Sequence, residues 1–313
     1  MDKLREASTT RPVTVETRGL TLSGLATSPM THDKGLVVAL HGAGYSSGYW
    51  SYANRGELSL LELGASLGFH VFAPDRPGYL RSYGVAKERC RLEDQVETLF
   101  DAISNWRQTA SVVGPTYLIG HSVGAALCLL MGGHDRAHEI QAVDVLGVPY
   151  RFASSSRGSD SVREMVAHGT HIPPINDQCR RAWLYGPDGT FDPHLQEFDR
   201  TLITPIPLAE YQDSMLLPNH WQLRLPTIRI PVQYTVAEHE VMQDTGVPIL
   251  RDVERLMQNC PRLETRLQRH SGHNASMAYV ATAYHLRAFA FFFEVATPAA
   301  RQRETPRQDA PRQ

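Results

Sequence analysis

The chain is poor in the features that mark several large classes of protein. Its 313 residues hold only four cysteines, Cys90, Cys128, Cys179 and Cys260. They are widely spaced, with no CxxC pair and no zinc pattern, which argues against a disulfide framework or a structural zinc module. Cys128 lies in an apolar stretch and reads as a small core residue. No run approaches the roughly 20 apolar residues of a membrane span, and the longest candidate, around residues 288–295, is too short. The start, Met1-Asp2-Lys3-Leu4-Arg5-Glu6, is polar and lacks the apolar core of a secretory signal. Charge of either sign is not in excess: the net value is -2 at pH 7, which argues against a nucleic-acid-binding surface. These absences predict a cytoplasmic protein with free thiols and no nucleic-acid or membrane partner.

What is present is the composition of a globular protein, 42% apolar and 20% charged, in a chain long enough to bury a large core. Residues 13–16 and 20–25 carry β-formers on either side of Arg18-Gly19 and read as a hairpin. Residues 36–40 and 69–73 are short continuous apolar runs, the pattern of strands buried on both faces. Residues 117–119, 143–146, 230–236 and 264–268 supply four further strands. Helical periodicity occupies 57–67, 91–107, 125–131, 249–259 and 275–294, with Leu92, Val96, Leu99, Phe100 and Ile103 on one face of the second. Strands alternating with helices predict an α/β fold with a mostly parallel central sheet and helices on both faces. The rhythm breaks over 150–225, where Ser-rich and Pro-rich stretches precede helical patches with scattered aromatics. The expected organisation is a core of 12–149 and 226–296, a mainly helical insertion at 150–225, and disordered tails at 1–11 and 297–313.

The most informative segment is Gly120-His121-Ser122-Val123-Gly124. A glycine-rich pentapeptide can arise by chance in a chain with 23 glycines. Here an apolar strand precedes it and an apolar helix follows, the context in which G-x-S-x-G presents a serine nucleophile at a sharp turn. Acyl transfer by serine also needs a base, a group that orients the base, and donors for the oxyanion. Open α/β sheets gather such groups at the carboxyl ends of their strands. His273, in Ser271-Gly272-His273-Asn274 after the last strand, is the preferred base among 14 histidines, with His270 as its rival. Three carboxylates follow the strand at 230–236: Glu240 is the preferred acid, Glu238 the second choice, and Asp244 reads as the start or cap of a helix. The oxyanion donors are expected to be the backbone N–H of Val123 and one from His41-Gly42-Ala43-Gly44-Tyr45, for which Ala43 is preferred. This turn has neither the G-x-G-x-x-G spacing nor the G-K-[ST] ending of a nucleotide-binding loop.

Together these segments resemble the α/β-hydrolase fold family over roughly residues 12–295. The order Ser122, Glu240, His273 matches that family's nucleophile–acid–histidine order. His41-Gly42-Ala43-Gly44 is similar to its oxyanion loop and Gly272-His273 to its G-H ending. Ala73-Pro74-Asp75-Arg76-Pro77-Gly78-Tyr79 followed by Arg81-Ser82 is similar to its A-P-D-x-x-G-x-G-x-S segment, with Leu80 where a second glycine is common. Ala237-Glu238-His239-Glu240 stands where G-x-x-D is usual. The resemblance implies that 150–225 is a cap and that Asp75 is structural. Serine at the nucleophile position sets the chain apart from the dehalogenases and epoxide hydrolases, which use Asp, and it lacks the H-G-G-P-G loop of the proline iminopeptidases.

The expected activity is that of a capped serine hydrolase. It would cleave a carboxylic ester or thioester of a small to medium apolar molecule through an acyl-enzyme. Its partner is a small-molecule substrate, and no metal or organic cofactor is required. Tyr45, Trp50, His121, Trp183 and Trp221 are the candidate substrate-binding residues, the alternative for the cap aromatics being a place in the cap's own core. The same triad serves a C–C bond hydrolase or an acyltransferase, and a small-molecule receptor on this fold is the non-enzymatic alternative. The sequence does not determine the oligomeric state.

Overall fold

The structure, a computed structural model, describes residues 10–29, 32–53, 57–153 and 170–297. Along the chain the elements are β1 (Arg11–Thr17), β2 (Leu20–Thr27), β3 (Leu36–Leu40), α1 (Leu60–Ser66), β4 (His70–Pro74), α2 (Leu92–Thr109), β5 (Thr116–His121), α3 (Val123–Gly132) and β6 (Ala142–Leu146). Then come β7 (His171–Ile172), α4 (Asp177–Leu184), α5 (Leu195–Asp199), β8 (Ile206–Pro207), α6 (Leu208–Leu216) and α7 (Trp221–Arg224). The chain closes with β9 (Val232–Ala237), α8 (Val247–Leu256), β10 (Leu263–Gln268) and α9 (Ala281–Ala296).

Eight strands form one sheet in the order β1-β2-β4-β3-β5-β6-β9-β10. The β1–β2 hairpin and the β2–β4 pair are antiparallel, and every pair from β4 to β10 is parallel. Every residue of β3, β5, β6 and β9 is buried. That is why these strands are mostly apolar, β3 without a break: in a parallel sheet covered on both sides, neither side chain of an alternating pair meets water. In β3, Leu36, Val38 and Leu40 join the cluster holding Leu99 of α2, Leu127 of α3 and Val253 of α8. Val37 and Ala39 point the other way, into the cluster holding Leu61 of α1 and Phe289 and Phe292 of α9.

Helix ends differ from the sequence reading, mostly by one to three residues, and at two places the structure shows the cause. α1 begins at Leu60 because Ser59 caps it: Ser59 Oγ accepts from the Glu62 N–H at 3.2 Å, and the Glu62 carboxylate accepts from the Ser59 N–H at 2.9 Å. The helix expected over 275–294 is broken into a 3-10 turn, Ala275–Met277, and α9. Between them Ala278 bridges to Phe191, and the Tyr279 N–H donates to Thr190 O at 2.8 Å. Pairing with the insertion overrides local helix propensity there.

The insertion between β6 and β9 carries α4 to α7 and a two-residue antiparallel ribbon, β7 with β8, that the sequence did not announce. Of the expected disordered tails, residues 1–9 and 298–313 lie outside the described residues, as does most of the Ser-rich stretch 153–161. The inner ends of the tails are ordered. Arg11 pairs with Ala26, and Thr297 closes α9 by donating its hydroxyl to Phe293 O at 2.9 Å. Among the described residues no helix is long and apolar enough to cross a membrane.

Candidate active site

Ser122 occupies the turn between β5 and α3 with φ 55° and ψ -120°, a region that non-glycine residues rarely enter. Close packing imposes the turn. A Cβ on Gly120 would lie 2.6 Å from Ala125 Cα, and one on Gly124 would lie 2.2 Å from Leu40 O. Both glycines of the motif are needed because α3 starts directly over the ends of β3 and β5. Backbone bonds hold the strained residue: the Ser122 N–H donates to Leu146 O at 2.9 Å, and Ser122 O accepts from the Ala126 N–H at 3.0 Å. The Ser122 side chain is half-buried.

The loops after β9 and β10 bring Glu240 and His273 together. His273 Nδ1 lies 2.5 Å from Glu240 Oε2, and both side chains are 2% exposed. Glu240 Oε1 accepts from the Met242 N–H at 2.9 Å, which fixes the carboxylate. Gly147, just past β6, lies under the imidazole. His121 Nε2 donates to His273 O at 3.0 Å, and the two imidazole centroids are 4.7 Å apart. Ser122 is therefore linked to His273 through its neighbour His121, and among the described residues no hydrogen bond joins Ser122 directly to His273. The rival residues are placed elsewhere. Glu238 accepts from the His270 N–H at 2.8 Å and from Arg269 at 3.1 Å, and the first of these bonds holds its carboxyl below its ordinary range. Asp244 pairs with Arg151 at 3.8 Å, and His270 is exposed.

His41-Gly42-Ala43-Gly44-Tyr45 leaves the end of β3 beside Ser122: a Cβ on Gly42 would stand 3.1 Å from Ser122 Cβ. Val123 opens α3, so its N–H has no partner within the helix. Among the described residues the Ala43 N–H has no partner either. Two N–H groups near the serine are thus available to a bound anion or carbonyl oxygen.

Two histidines around this loop, His41 and His121, are pushed toward the neutral form. Burial and the nearby Arg76 charge push His41 well below its ordinary pKa. One tautomer meets both of its contacts: Nδ1 donates to Gly42 O at 2.8 Å and Nε2 accepts from the Arg76 N–H at 3.2 Å. Burial, then His273, pushes His121 down likewise. His121 stacks on Tyr49 at 4.6 Å, and its Nδ1 is buried with no partner among the described residues.

The other four candidate substrate contacts have different surroundings. Trp221 is 1% exposed, sits in the core cluster, and donates from Nε1 to Pro149 O at 2.9 Å. Trp50 is also 1% exposed and packs edge-on to Tyr49. Tyr45 donates its hydroxyl to Asp199 at 2.8 Å and accepts from Asn274 at 2.8 Å, an internal polar brace. Trp183 is 41% exposed on α4. Tyr45, Trp50 and Trp221 each take part in packing or internal bracing. Asp75 cross-links the core by accepting from the Ser47 N–H and the Ser23 hydroxyl, both at 2.7 Å.

The sequence reading missed the charged groups buried around the oxyanion-loop candidate. Arg76 and Glu210 form an ion pair with both side chains fully buried. Arg180 and Asp199 form another at 2.7 Å. An arginine in an A-P-D-x-x-G segment was visible, but its partner is 134 residues away in the insertion.

The sequence profile of the Alpha/beta hydrolase family matches residues 37–285. A "Monoglyceride lipase homolog" of Monkeypox virus is 34% identical over 104 residues, a match that spans 33% of this chain and 34% of that protein. The solved structure of a soluble variant of monoglyceride lipase from Saccharomyces cerevisiae, in complex with a substrate analog, has a TM-score of 0.70 at 15% identity over 92% of this chain and 96% of that one. A thioesterase domain from the curacin biosynthetic pathway has a TM-score of 0.63 at 15% identity, covering 90% and 99%. At these identities the two structures share the fold.

Proposed function

Since the chain belongs to the alpha/beta hydrolase family, we propose that it is a serine hydrolase that cleaves a carboxylic ester or thioester of a small to medium apolar molecule. Ser122 Oγ attacks the substrate carbonyl carbon while His273 Nε2 takes its proton. Glu240, hydrogen-bonded to Nδ1, fixes the imidazole tautomer and offsets the charge that forms on the ring. The carbonyl oxygen becomes an oxyanion and is met by the N–H groups of Ala43 and Val123, a pair of donors each worth about 3–4 kcal/mol of barrier in comparable sites. The intermediate collapses to the acyl-enzyme, and His273 returns the proton to the departing alcohol or thiol. Water then repeats the sequence in the second half, its proton passing through His273 back to Ser122.

The observation that carries this reading is the buried His273–Glu240 hydrogen bond of 2.5 Å, because an imidazole held by a carboxylate at Nδ1 presents Nε2 as a base. The absence of a direct Ser122–His273 hydrogen bond is compatible with it, since catalytic hydrogen bonds often tighten only when substrate arrives. The four free cysteines support a reducing compartment, the cytoplasm, as its location.

The test is a panel of p-nitrophenyl esters of increasing chain length, monoacylglycerols and acyl thioesters, assayed with wild type and Ser122→Ala. Steady turnover that disappears in the variant supports the reading. Equal turnover by both proteins, or none by folded wild type, contradicts it.

A further inference from the structure

Arg76, on the loop after β4, and Glu210, on α6 of the insertion, are both fully buried and face each other in a two-pronged contact, one prong Nη2 to Oε1 at 3.1 Å. Gln95 of α2 donates to Glu210 at 2.8 Å and accepts from Arg76 at 2.9 Å. Burying such charges is costly, and well-packed apolar residues of the same volume often serve stability as well. What sets this pair apart is its connection to the loop that carries Ala43.

Both flanks of that loop are tied to it. On one side Arg76 Nε donates to His41 O at 3.0 Å, and the Arg76 N–H donates to His41 Nε2 at 3.2 Å. On the other side the Gly44 N–H donates to Tyr79 Oη at 3.2 Å, and Tyr79 Oη donates its own proton to Glu210 Oε1 at 2.6 Å. The Arg76 guanidinium lies 4.9 Å from the Tyr79 ring centroid, and the His41 and Tyr79 rings meet edge to face. The insertion also holds Gly44 at its carbonyl, which accepts from the Thr204 N–H at 2.9 Å. The peptide between Ala43 and Gly44 is therefore fixed through its N–H. The adjoining peptide, whose N–H is the proposed oxyanion donor, is held at its carbonyl, since Gly42 O accepts from Nδ1 of the same His41 ring at 2.8 Å.

We propose that Glu210, acting through Arg76 and Tyr79, is a positioning residue that aims the Ala43 N–H at the oxyanion. The carboxylate is supplied by the insertion, so the donor on the core is correctly set only when α6 is docked. The inference rests on the serine-hydrolase reading, and its test separates the two.

Removing Glu210 leaves Arg76 as an unpaired buried charge and endangers the fold, so the test is made with Tyr79→Phe, which deletes one oxygen and keeps the ion pair. Wild type, Tyr79→Phe and Ser122→Ala are compared for kcat and KM on a cleaved ester, for melting temperature, and for inhibition by two probes. One probe is a trifluoromethyl ketone, which forms a tetrahedral oxyanion on the serine. The other is an apolar amide that binds without forming one. In Tyr79→Phe, kcat is expected to fall by roughly 10- to 100-fold with KM nearly unchanged. The ketone should weaken by a similar factor and the amide should not. Unchanged kcat with a lowered melting temperature, or equal weakening of both probes, assigns Tyr79 and Glu210 a purely structural role and overturns the proposal. Should Ser122→Ala be as active as wild type, the hydrolase reading itself fails. Should it be inactive while Tyr79→Phe keeps full kcat and full ketone affinity, only the positioning role fails.

Discussion

His273 Nδ1 lies 2.5 Å from Glu240 Oε2, inside the protein, at the ends of two adjacent parallel strands. A catalytic acid in this role holds an imidazole in one tautomer and stabilises its charged form. Glu240→Gln should lower kcat by about 100-fold or more, because the amide offers no charge and can impose the wrong tautomer. Glu238→Gln and Asp244→Asn should stay near wild type, since their carboxylates face His270 and Arg269 or Arg151 instead. The reverse ranking in steady-state kinetics would move the acid role off Glu240.

Ser122→Ala and His273→Ala are each expected to reduce kcat by about 10³ or more, with smaller changes in KM. The double variant should be scarcely worse than either single one, because the groups act as a unit. Losses that multiply in the double variant would show that the two residues work independently.

Gly147 has φ +70°, and an added Cβ would lie 2.9 Å from His273 Cε1. Gly147→Ala should displace the imidazole and cut kcat by about tenfold or more, since small misplacements of reacting groups carry large rate penalties. A crystal structure of the variant should show the shifted ring. Wild-type kcat in Gly147→Ala would mean that the site tolerates movement of His273.

Burial pushes the Asp144 carboxyl from its ordinary 3.8 up to about 6, even though the Gln233 and Tyr284 side chains donate to it. Such an acid retains its proton in the folded state over a range where the unfolded chain has lost it. The stability it contributes is complete below the unfolded value and is lost as pH rises through about 6. Asp144→Asn removes this titration. Urea unfolding of both proteins should show the balance moving toward the variant by on the order of 3 kcal/mol between about pH 4 and pH 7. A difference independent of pH would mean that Asp144 titrates alike in both states.

The fold was legible where burial leaves a simple pattern. β3, β5, β6 and β9 are covered on both faces, so each is rich in apolar residues, with Asp144 and Gln233 among the buried exceptions, bonded to each other. The pentapeptide around Ser122 was legible because two close approaches, at Gly120 and Gly124, demand glycine. Glu240 and His273 could be named from their places after strands, but not their distance. The break before α9 was hidden because it depends on Ala278 meeting Phe191, a contact across the insertion. The roles of Trp183 and Trp221 could not be told apart, since one ends exposed and the other in the core without a distinguishing sequence period. Arg76 and Glu210 each look like ordinary surface charges until the fold encloses them together.

The central claim is that Ser122 is an activated nucleophile, and intact-mass analysis after treatment with a fluorophosphonate tests it most directly. The account predicts one covalent adduct on wild type and none on Ser122→Ala. An adduct on both proteins, or none on correctly folded wild type, would contradict it.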